Sequence, residues 1–167
     1  AREAIRACGE AVRLPFASAS MSLAWSNLML HWLVDPLPAL REMHRVLAVD
    51  GLLMFTAFGP DTLKELRRCF VQADPMPHVH RFIDMHDLGD ALVKAGFAEP
   101  VMDMEIITLT YDSFDALMRD LRLSGAQCAL AGRRRGLTGK AVWSRVRAAY
   151  QMHRRDGRLP ATFEVVY

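Results

Sequence analysis

The sequence has few cysteines, and their number and spacing exclude two kinds of site. Only three of the 167 residues are cysteine, at Cys8, Cys69 and Cys128. An odd number of widely spaced thiols does not match a disulfide framework, and no pair has the C-x-x-C spacing of a metal or redox site. We therefore expect three reduced thiols.

Long apolar runs and strong net charge are also missing. No run approaches the roughly 20 apolar residues that span a bilayer, and the first residues do not resemble a secretory signal. The sequence therefore predicts a cytoplasmic protein without membrane association. A formal net charge of +2 is too small to indicate a nucleic acid as partner.

The remaining composition is that of a folded protein. With 51% hydrophobic and 24% charged residues, the chain can bury a sizeable core, and its length predicts one domain. Apolar runs alternate with amphipathic segments, which is typical of an α/β protein. We predict strands at 22–25, 52–58, 101–111 and 162–167, and helices at 84–96, 114–123 and 139–154. Thr62 and Glu65 have the spacing of a capping box at the start of a further helix.

The most informative stretch is 21–32, which reads MSLAWSNLMLHW. A short apolar run changes to polar Ser26 and Asn27 where a buried strand would end. In open α/β sheets, ligands bind beyond the carboxyl ends of parallel strands, so Ser26, Asn27, His31 and Trp32 are candidate ligand-binding residues. A strand and turn rich in tryptophan could instead simply fill the core. For His31, a hydrogen bond to a backbone carbonyl is the structural alternative.

The flanking sequence carries a family resemblance. GEAVRLPFASASMSLAWSN resembles the segment of class I S-adenosylmethionine-dependent methyltransferases in which an acidic and a small residue precede Leu-Pro-Phe. The resemblance implies that Glu10 accepts a hydrogen bond from the adenine amino group and that Ala11 offers its backbone N–H. Ser26, Asn27 and Trp32 then complete the predicted S-adenosylmethionine site.

Downstream motifs narrow the resemblance to one subgroup. SNLMLHW, FGPDTLKELR and MHDLGDALVKAGF resemble the subgroup of malonyl-acyl-carrier-protein O-methyltransferases of biotin synthesis. The fold implied is a partial Rossmann-like sheet with an antiparallel last strand and a helical insertion before it. No G-x-G turn occurs, so we expect 1–167 to be the C-terminal part of one methyltransferase domain, without its Gly-rich N-terminal half and with a helical substrate cap at about 112–158.

The implied reaction transfers a methyl group to a carboxylate oxygen, and a cation is needed to hold that carboxylate. MRDLRLSGA resembles the basic helix and turn of the substrate cap, where Arg119 and Arg122 lie three residues apart on one predicted helical face. Arginine suits bidentate binding of a carboxylate. We therefore predict Arg119 and Arg122 as substrate-binding residues, with Arg122 and His31 as candidate catalytic residues. The alternative is a solvated face on which either arginine pairs with Asp115 or Asp120.

Two further clusters, one of histidines and one of arginines, have compositions that occur in metal sites and in docking surfaces. His78 and His80 alternate in an extended segment, but they complete no zinc spacing, so no metal site is predicted. The last third is locally basic, which fits either a solubilising surface or a dock for an acidic acyl carrier protein. The basic residues are Arg133, Arg134, Arg135, Arg154, Arg155 and Arg158.

Three function classes follow. The first is a carboxyl methyltransferase acting on a malonyl thioester of acyl carrier protein. The second is a related complex I assembly factor with arginine hydroxylase activity, because FGPDTLKELR, DLGDALVKAGF and LPATFEVVY resemble that family too. A basic Arg122 before Ser-Gly-Ala favours the methyltransferase. The third is a binding remnant without catalytic activity.

Overall fold

A computed structural model of the chain describes residues 6–126, 128, 130, 132–133 and 136–167. Within these residues, strands and helices alternate as the sequence predicts. The strands are β1 (Met21–Asn27), β2 (Leu47–Phe58), β3 (Met104–Tyr111) and β4 (Leu159–Val166). The helices are α1 (Leu37–Val46), α2 (Lys64–Ala73), α3 (Met85–Ala95), α4 (Phe114–Leu123) and α5 (Lys140–Gln151).

The described strands form one sheet in the order β1-β2-β4-β3. β1 and β2 are parallel, and their register pairs Leu23 with Leu52 and Trp25 with Met54. The residues flanking β3 and β4 exchange two backbone hydrogen bonds, from Asp103 N to Tyr167 O at 2.7 Å and from Tyr167 N to Asp103 O at 3.0 Å. Because the start of β3 meets the end of β4, these two strands are antiparallel. The predicted α/β fold with an antiparallel last strand is confirmed.

The chain divides into two compact units, each with its own buried side chains. The first comprises 1–57, 84–103 and 166–167, and the second comprises 58–83 and 104–165. In the first unit, α1 and α3 bury residues at helical spacing, among them Leu40, Met43, Val46, Leu88 and Leu92. The core of the second unit is built mainly by α2, α4 and α5, and includes Phe70, Phe114, Leu117, Val146 and Tyr150. That residues 1–167 belong to one methyltransferase domain remains a prediction.

Several helix ends follow from local sequence. Asp84 caps α3 by accepting a hydrogen bond from His86 N at 2.8 Å, and Gly96 ends the helix in the left-handed region at φ 106°. Ser113 caps α4 in the same way, accepting from Ala116 N.

No helix in the described ranges is long and apolar enough to cross a bilayer.

The capping box predicted from Thr62 and Glu65 is wrong. α2 begins at Lys64, and its N-cap is Leu63 in the left-handed region, without a side-chain cap. Glu65 is buried and accepts hydrogen bonds from Thr162 Oγ1 at 2.5 Å and Thr162 N at 3.2 Å. Thr62 Oγ1 donates to Glu164 O at 3.0 Å. Both side chains therefore tie the start of α2 to β4 instead of capping the helix.

The turn before α2 is fixed by the buried Glu164 of β4. Its carboxylate accepts from Asp61 N at 2.7 Å, and its backbone carbonyl accepts from Gly59 N at 2.9 Å. A Cβ on Gly59 would lie 2.4 Å from both Cδ and Oε1 of Glu164. The glycine of the Phe-Gly-Pro-Asp motif is therefore required by the close approach of a buried carboxylate.

Replacing Gly59 with alanine should destabilise the fold. The added Cβ must displace the Glu164 carboxylate and break its bond to Asp61 N, so we expect a loss of about 1–3 kcal/mol in the free energy of unfolding. Denaturant titration measures this value. Gly136→Ala is the matched control, since no described atom beyond its chain neighbours lies within 4 Å of its Cβ position, and it should change stability by less than about 0.5 kcal/mol. Equal stability of the two variants would contradict the packing argument.

One face of the paired strands β1 and β2 exposes large apolar side chains. Leu23 and Trp25 are 51% and 75% exposed, and their cross-strand partners Leu52 and Met54 are 57% and 54% exposed. Alternate residues of a strand share a face, so these four side chains form one continuous surface. We call it the β1–β2 apolar face.

Candidate functional site

The carboxyl end of β1 places Ser26 and Asn27 as the sequence predicts. Ser26 is 7% exposed, and its hydroxyl has no hydrogen-bond partner among the described residues. Buried polar side chains almost always have a partner, so an unsatisfied hydroxyl at a strand end favours contact with a ligand or an ordered water. Asn27 follows it and is exposed.

Thr56 of β2 holds the side chain of Asn27. Its hydroxyl donates to Asn27 Oδ1 at 2.6 Å and accepts from Leu28 N at 3.0 Å, while Leu28 N also donates to Thr56 O at 3.0 Å. These bonds fix the carboxamide and the left-handed turn at Leu28, whose φ is 47°. Thr56 was not predicted as a site residue, although a threonine inside the apolar run of β2 distinguishes it from its neighbours.

His31 and Trp32 lie just beyond that turn. They end a one-turn 3-10 helix, Leu30–Trp32, which is anchored by the buried Leu30. The two rings are in contact, with centroids 5.2 Å apart and an interplanar angle of 37°. Trp32 is 44% exposed and His31 is half-buried. An indole with one accessible side can pack against an apolar or aromatic ligand group.

Glu10 and Ala11 lie in a tight turn that precedes β1. Arg13 N donates to Glu10 O at 2.9 Å, which closes the turn. Glu10 is exposed and Ala11 is half-buried. The Glu10 carboxylate therefore projects from a defined backbone turn in the same unit as Ser26 and Asn27.

The segment after this turn is held by Glu42 and Arg45 of α1. Arg45 Nε donates to Glu42 Oε1 at 2.8 Å, and Leu14 N donates to Glu42 Oε2 at 2.9 Å. The hydrogen bond from Arg45, followed by that from Leu14 N, lowers the pKa of Glu42 to about 2. The sequence analysis missed this pair, which has the i,i+3 spacing of a helical ion pair.

The lowered pKa of Glu42 predicts a pH dependence of stability. A carboxyl group whose pKa falls on folding contributes stability above its unfolded pKa, near 4.5, and that contribution is lost as the pH falls toward about 2. Glu42→Gln should therefore lower the melting temperature at pH 7, and the difference from wild type should shrink steadily below pH 4.5. Thermal unfolding of both proteins at several pH values measures this. A difference that is the same at pH 3 and pH 7 would contradict it.

Arg119 and Arg122 lie on α4, in the second unit, and both are exposed. Asp115 and Asp120, the alternative ion-pair partners of these arginines, bind other groups. Asp115 accepts two hydrogen bonds from Arg147, at 2.7 and 2.8 Å, and Asp120 accepts from the Tyr111 hydroxyl at 2.6 Å. Burial and this carboxylate raise the pKa of Tyr111 to about 12. Within the described part of the chain, neither Arg119 nor Arg122 has an ion-pair partner, so both guanidinium groups are available to an anion.

Some side chains of the basic cluster in the last third bond the protein itself, which limits their availability to an acidic partner. Arg158 donates to Thr110 Oγ1 at 2.9 Å and to Asp112 Oδ1 at 2.5 Å, and Arg154 donates to the carbonyl oxygens of Gly157 and Asp112. These two side chains connect the end of β3 to the start of β4. Arg134 and Arg135 lie outside the described residues.

The His78 side chain is held by a carboxylate and by an aromatic ring. His78 Nε2 lies 2.9 Å from Asp74 Oδ2, and its ring stacks on Phe70 with centroids 4.1 Å apart. The described residues contain no group of three metal-ligating side chains.

Comparison with known proteins is consistent with this arrangement. Residues 2–55 match the family described as methyltransferase domain. A malonyl-[acyl-carrier protein] O-methyltransferase of Laribacter hongkongensis is 59% identical over 167 residues, which are 100% of this chain and 56% of that protein. The protein of the same name from Gallionella capsiferriformans is 53% identical over 160 residues, which are 96% of this chain and 55% of that protein. The chain therefore spans a little over half the length of these relatives.

Two solved structures share the fold at low sequence identity. A methyltransferase-like protein of Bacillus halodurans superposes with a TM-score of 0.60 at 17% identity, covering 95% of this chain and 72% of that one. The YcgJ protein of Bacillus subtilis superposes with a TM-score of 0.57 at 15% identity, covering 95% of this chain and 66% of that one. The chain has the fold of these two structures, and its residues 2–55 match the methyltransferase domain family.

The class I methyltransferases that the sequence resembles use S-adenosylmethionine, and the types of side chain at the end of β1 fit such a ligand. The ligand carries amino and carboxylate groups at one end, ribose hydroxyl groups in the middle and an aromatic base at the other end. The unsatisfied Ser26 hydroxyl and the fixed Asn27 carboxamide can exchange hydrogen bonds with polar groups of this kind. The exposed side of Trp32 can pack against the base or the aliphatic chain.

Proposed function

We propose that a full-length protein containing this chain methylates the free carboxylate of a malonyl thioester on acyl carrier protein, with S-adenosylmethionine as donor, in biotin synthesis. The observation that carries the proposal is the pair of exposed arginines on α4. Arg119 and Arg122 lie within a chain that is 59% identical to a malonyl-[acyl-carrier protein] O-methyltransferase, and the neighbouring carboxylates bind other groups.

The proposed reaction needs no general base. A malonyl carboxyl group has a pKa of roughly 4, so at neutral pH the carboxylate oxygen is already the nucleophile. S-adenosylmethionine, when bound, supplies an electrophilic methyl group on a sulfonium. The protein has to place the oxygen in line with that methyl group and exclude water from two opposite charges that disappear during transfer. A site without a catalytic acid–base pair is consistent with this chemistry.

Each candidate residue has a role in the proposal. Glu10 accepts from the adenine amino group, and the Ala11 N–H donates to the base. Ser26 and Asn27 bind polar groups of the donor beyond the end of β1, with Trp32 packed against it. His31 is retained as a candidate catalytic residue because it follows the same turn.

On the substrate side, Arg122 binds the malonyl carboxylate through charge-assisted hydrogen bonds, and Arg119 adds a second positive charge on the same helix. In this proposal α4 and α5 belong to a substrate-covering insertion at about 112–158. A cytoplasmic location belongs to the same proposal.

A matched pair of substrates tests the reaction. The full-length protein is incubated with methyl-labelled S-adenosylmethionine and either malonyl or acetyl acyl carrier protein. The malonyl form should become a methyl ester, detected by mass spectrometry, whereas the acetyl form has no free carboxylate and should remain unmodified. Failure to methylate the malonyl form would reject the proposal. It would leave a complex I assembly factor and a binding remnant without catalytic activity as the remaining hypotheses.

A further inference from the structure

The segment 14–20 runs along the end of α1 and is held there by polar contacts. Arg45 uses all five of its N–H donors: two bond the carboxylate of Glu42, and three reach Leu14 O, Phe16 O and Ser18 Oγ. The distances lie between 2.8 and 3.2 Å. One guanidinium thereby binds three residues of the segment 14–20.

Glu42 completes the attachment from the other side of Leu14. Its Oε2 accepts from Leu14 N at 2.9 Å, while Arg45 binds Leu14 O at 3.2 Å. Both backbone hydrogen-bonding groups of Leu14, its N–H and its C=O, are therefore held by the same ion pair. Lysine at position 45 could keep the charge but could not reproduce this planar set of donors.

Backbone contacts continue the attachment into β1. Ala19 N donates to Arg45 O and Ser20 N donates to Val46 O, both at 2.9 Å. The segment buries few apolar side chains, because Leu14 is half-buried and Phe16 is 39% exposed. Its conformation therefore depends on the hydrogen bonds to α1 more than on apolar packing.

The held segment begins directly after the turn that carries Glu10 and Ala11. Leu14 follows Arg13, which closes that turn through its bond to Glu10 O. Holding the N–H and the C=O of Leu14 consequently sets the position of the turn relative to α1. It also sets the direction in which the Glu10 carboxylate projects. A positional error of about 1 Å in such a group is large compared with the tolerance of a hydrogen bond.

We propose that Arg45 and Glu42 are positioning residues for the adenine end of the donor site. This inference rests on the proposed function, because it assumes that Glu10 and Ala11 contact adenine. Arg45 and Glu42 do not touch the donor. They hold the turn that does, and so they set the affinity for the base without taking part in methyl transfer.

The test compares two ligands that differ only in the group that Glu10 is proposed to bind. Calorimetry measures the dissociation constants of S-adenosylhomocysteine and its unsubstituted purine analogue, in which hydrogen replaces the exocyclic amino group, in full-length wild type, Arg45→Ala, Arg45→Lys and Glu42→Gln. Wild type should prefer adenine by about 10-fold. Arg45→Ala should weaken adenine binding by about 10-fold and reduce the preference to below about two-fold, with Arg45→Lys intermediate. The KM for S-adenosylmethionine should rise while kcat at saturation stays within about two-fold.

Arg41→Ala is the matched control, since Arg41 is exposed on the same helix and, among the described residues, makes no hydrogen bond to the segment. It should bind both ligands as wild type does. If Arg45→Ala does not fold, Arg45→Lys and Glu42→Gln decide the question by the same measurement. Folded variants that keep the wild-type preference, or that lose affinity for both ligands equally, would overturn the positioning role. Failure of wild type to bind S-adenosylhomocysteine would instead reject the proposed function.

Discussion

Replacing Arg122 with alanine in the full-length protein should lower kcat/KM for the malonyl substrate by roughly 10²-fold or more. A charge-assisted contact to a carboxylate in a closed site contributes about 2–4 kcal/mol to transition-state binding, and that contact would be lost. The dissociation constant of S-adenosylmethionine should change little, because the proposed donor contacts come from 10–32. Steady-state kinetics and calorimetry on the same preparations measure the two effects.

Two controls separate this result from a general effect of charge. Arg68→Ala removes an exposed arginine from α2 and should leave kcat/KM within about two-fold of wild type. Arg119→Ala should have an effect between the two, since Arg119 shares the helix but is not assigned the main contact. If Arg122→Ala is as active as wild type on the malonyl substrate, Arg122 is a solvated surface residue and the carboxylate-binding role is wrong.

The second large effect concerns the donor. We expect the 167-residue chain alone to bind S-adenosylmethionine weakly or not at all, at least about 100-fold more weakly than the full-length protein. The sequence contains no G-x-G turn to approach the donor's carboxypropyl group, and the resemblance implies that an acidic residue for the ribose hydroxyls is also missing. Those polar contacts would supply most of the specific binding.

Calorimetry on both proteins tests this expectation, with circular dichroism to show that the short chain is folded. The 10–32 region should then give at most millimolar affinity by itself. Micromolar binding by the folded short chain would show that the end of β1 and the Glu10 turn are sufficient for the donor, and the expectation would be wrong.

The sheet and most helices could be predicted because their signals are local. The bounds of α4 follow from Ser113 as N-cap and from apolar residues at helical spacing, and the structure has this helix at Phe114–Leu123, as predicted. β2 was predicted too short, since it begins at Leu47 and not at 52. Asp50, with φ 63°, and Gly51 interrupt the apolar pattern inside the strand, which hid its first five residues.

The parts that the sequence did not predict depend on long-range contacts. Thr62 and Glu65 have the local spacing of a capping box, but each bonds a residue about a hundred positions away on β4. Arg45 was visible only as a helical ion-pair partner of Glu42, because its acceptors at 14–18 come together with it only in the fold. Whether Arg122 and the donor residues form one site stays a prediction.

The β1–β2 apolar face has a consequence for the solution behaviour of the chain. Contiguous apolar surfaces of this kind are uncommon on soluble monomers and tend to be covered by another apolar surface. Leu23, Trp25, Leu52 and Met54 therefore favour reversible self-association as the protein concentration rises. At the concentrations used in calorimetry, the heat of dissociation of such assemblies adds to any heat of ligand binding. Dilution of the chain into buffer alone, at matched concentration, separates the two heats.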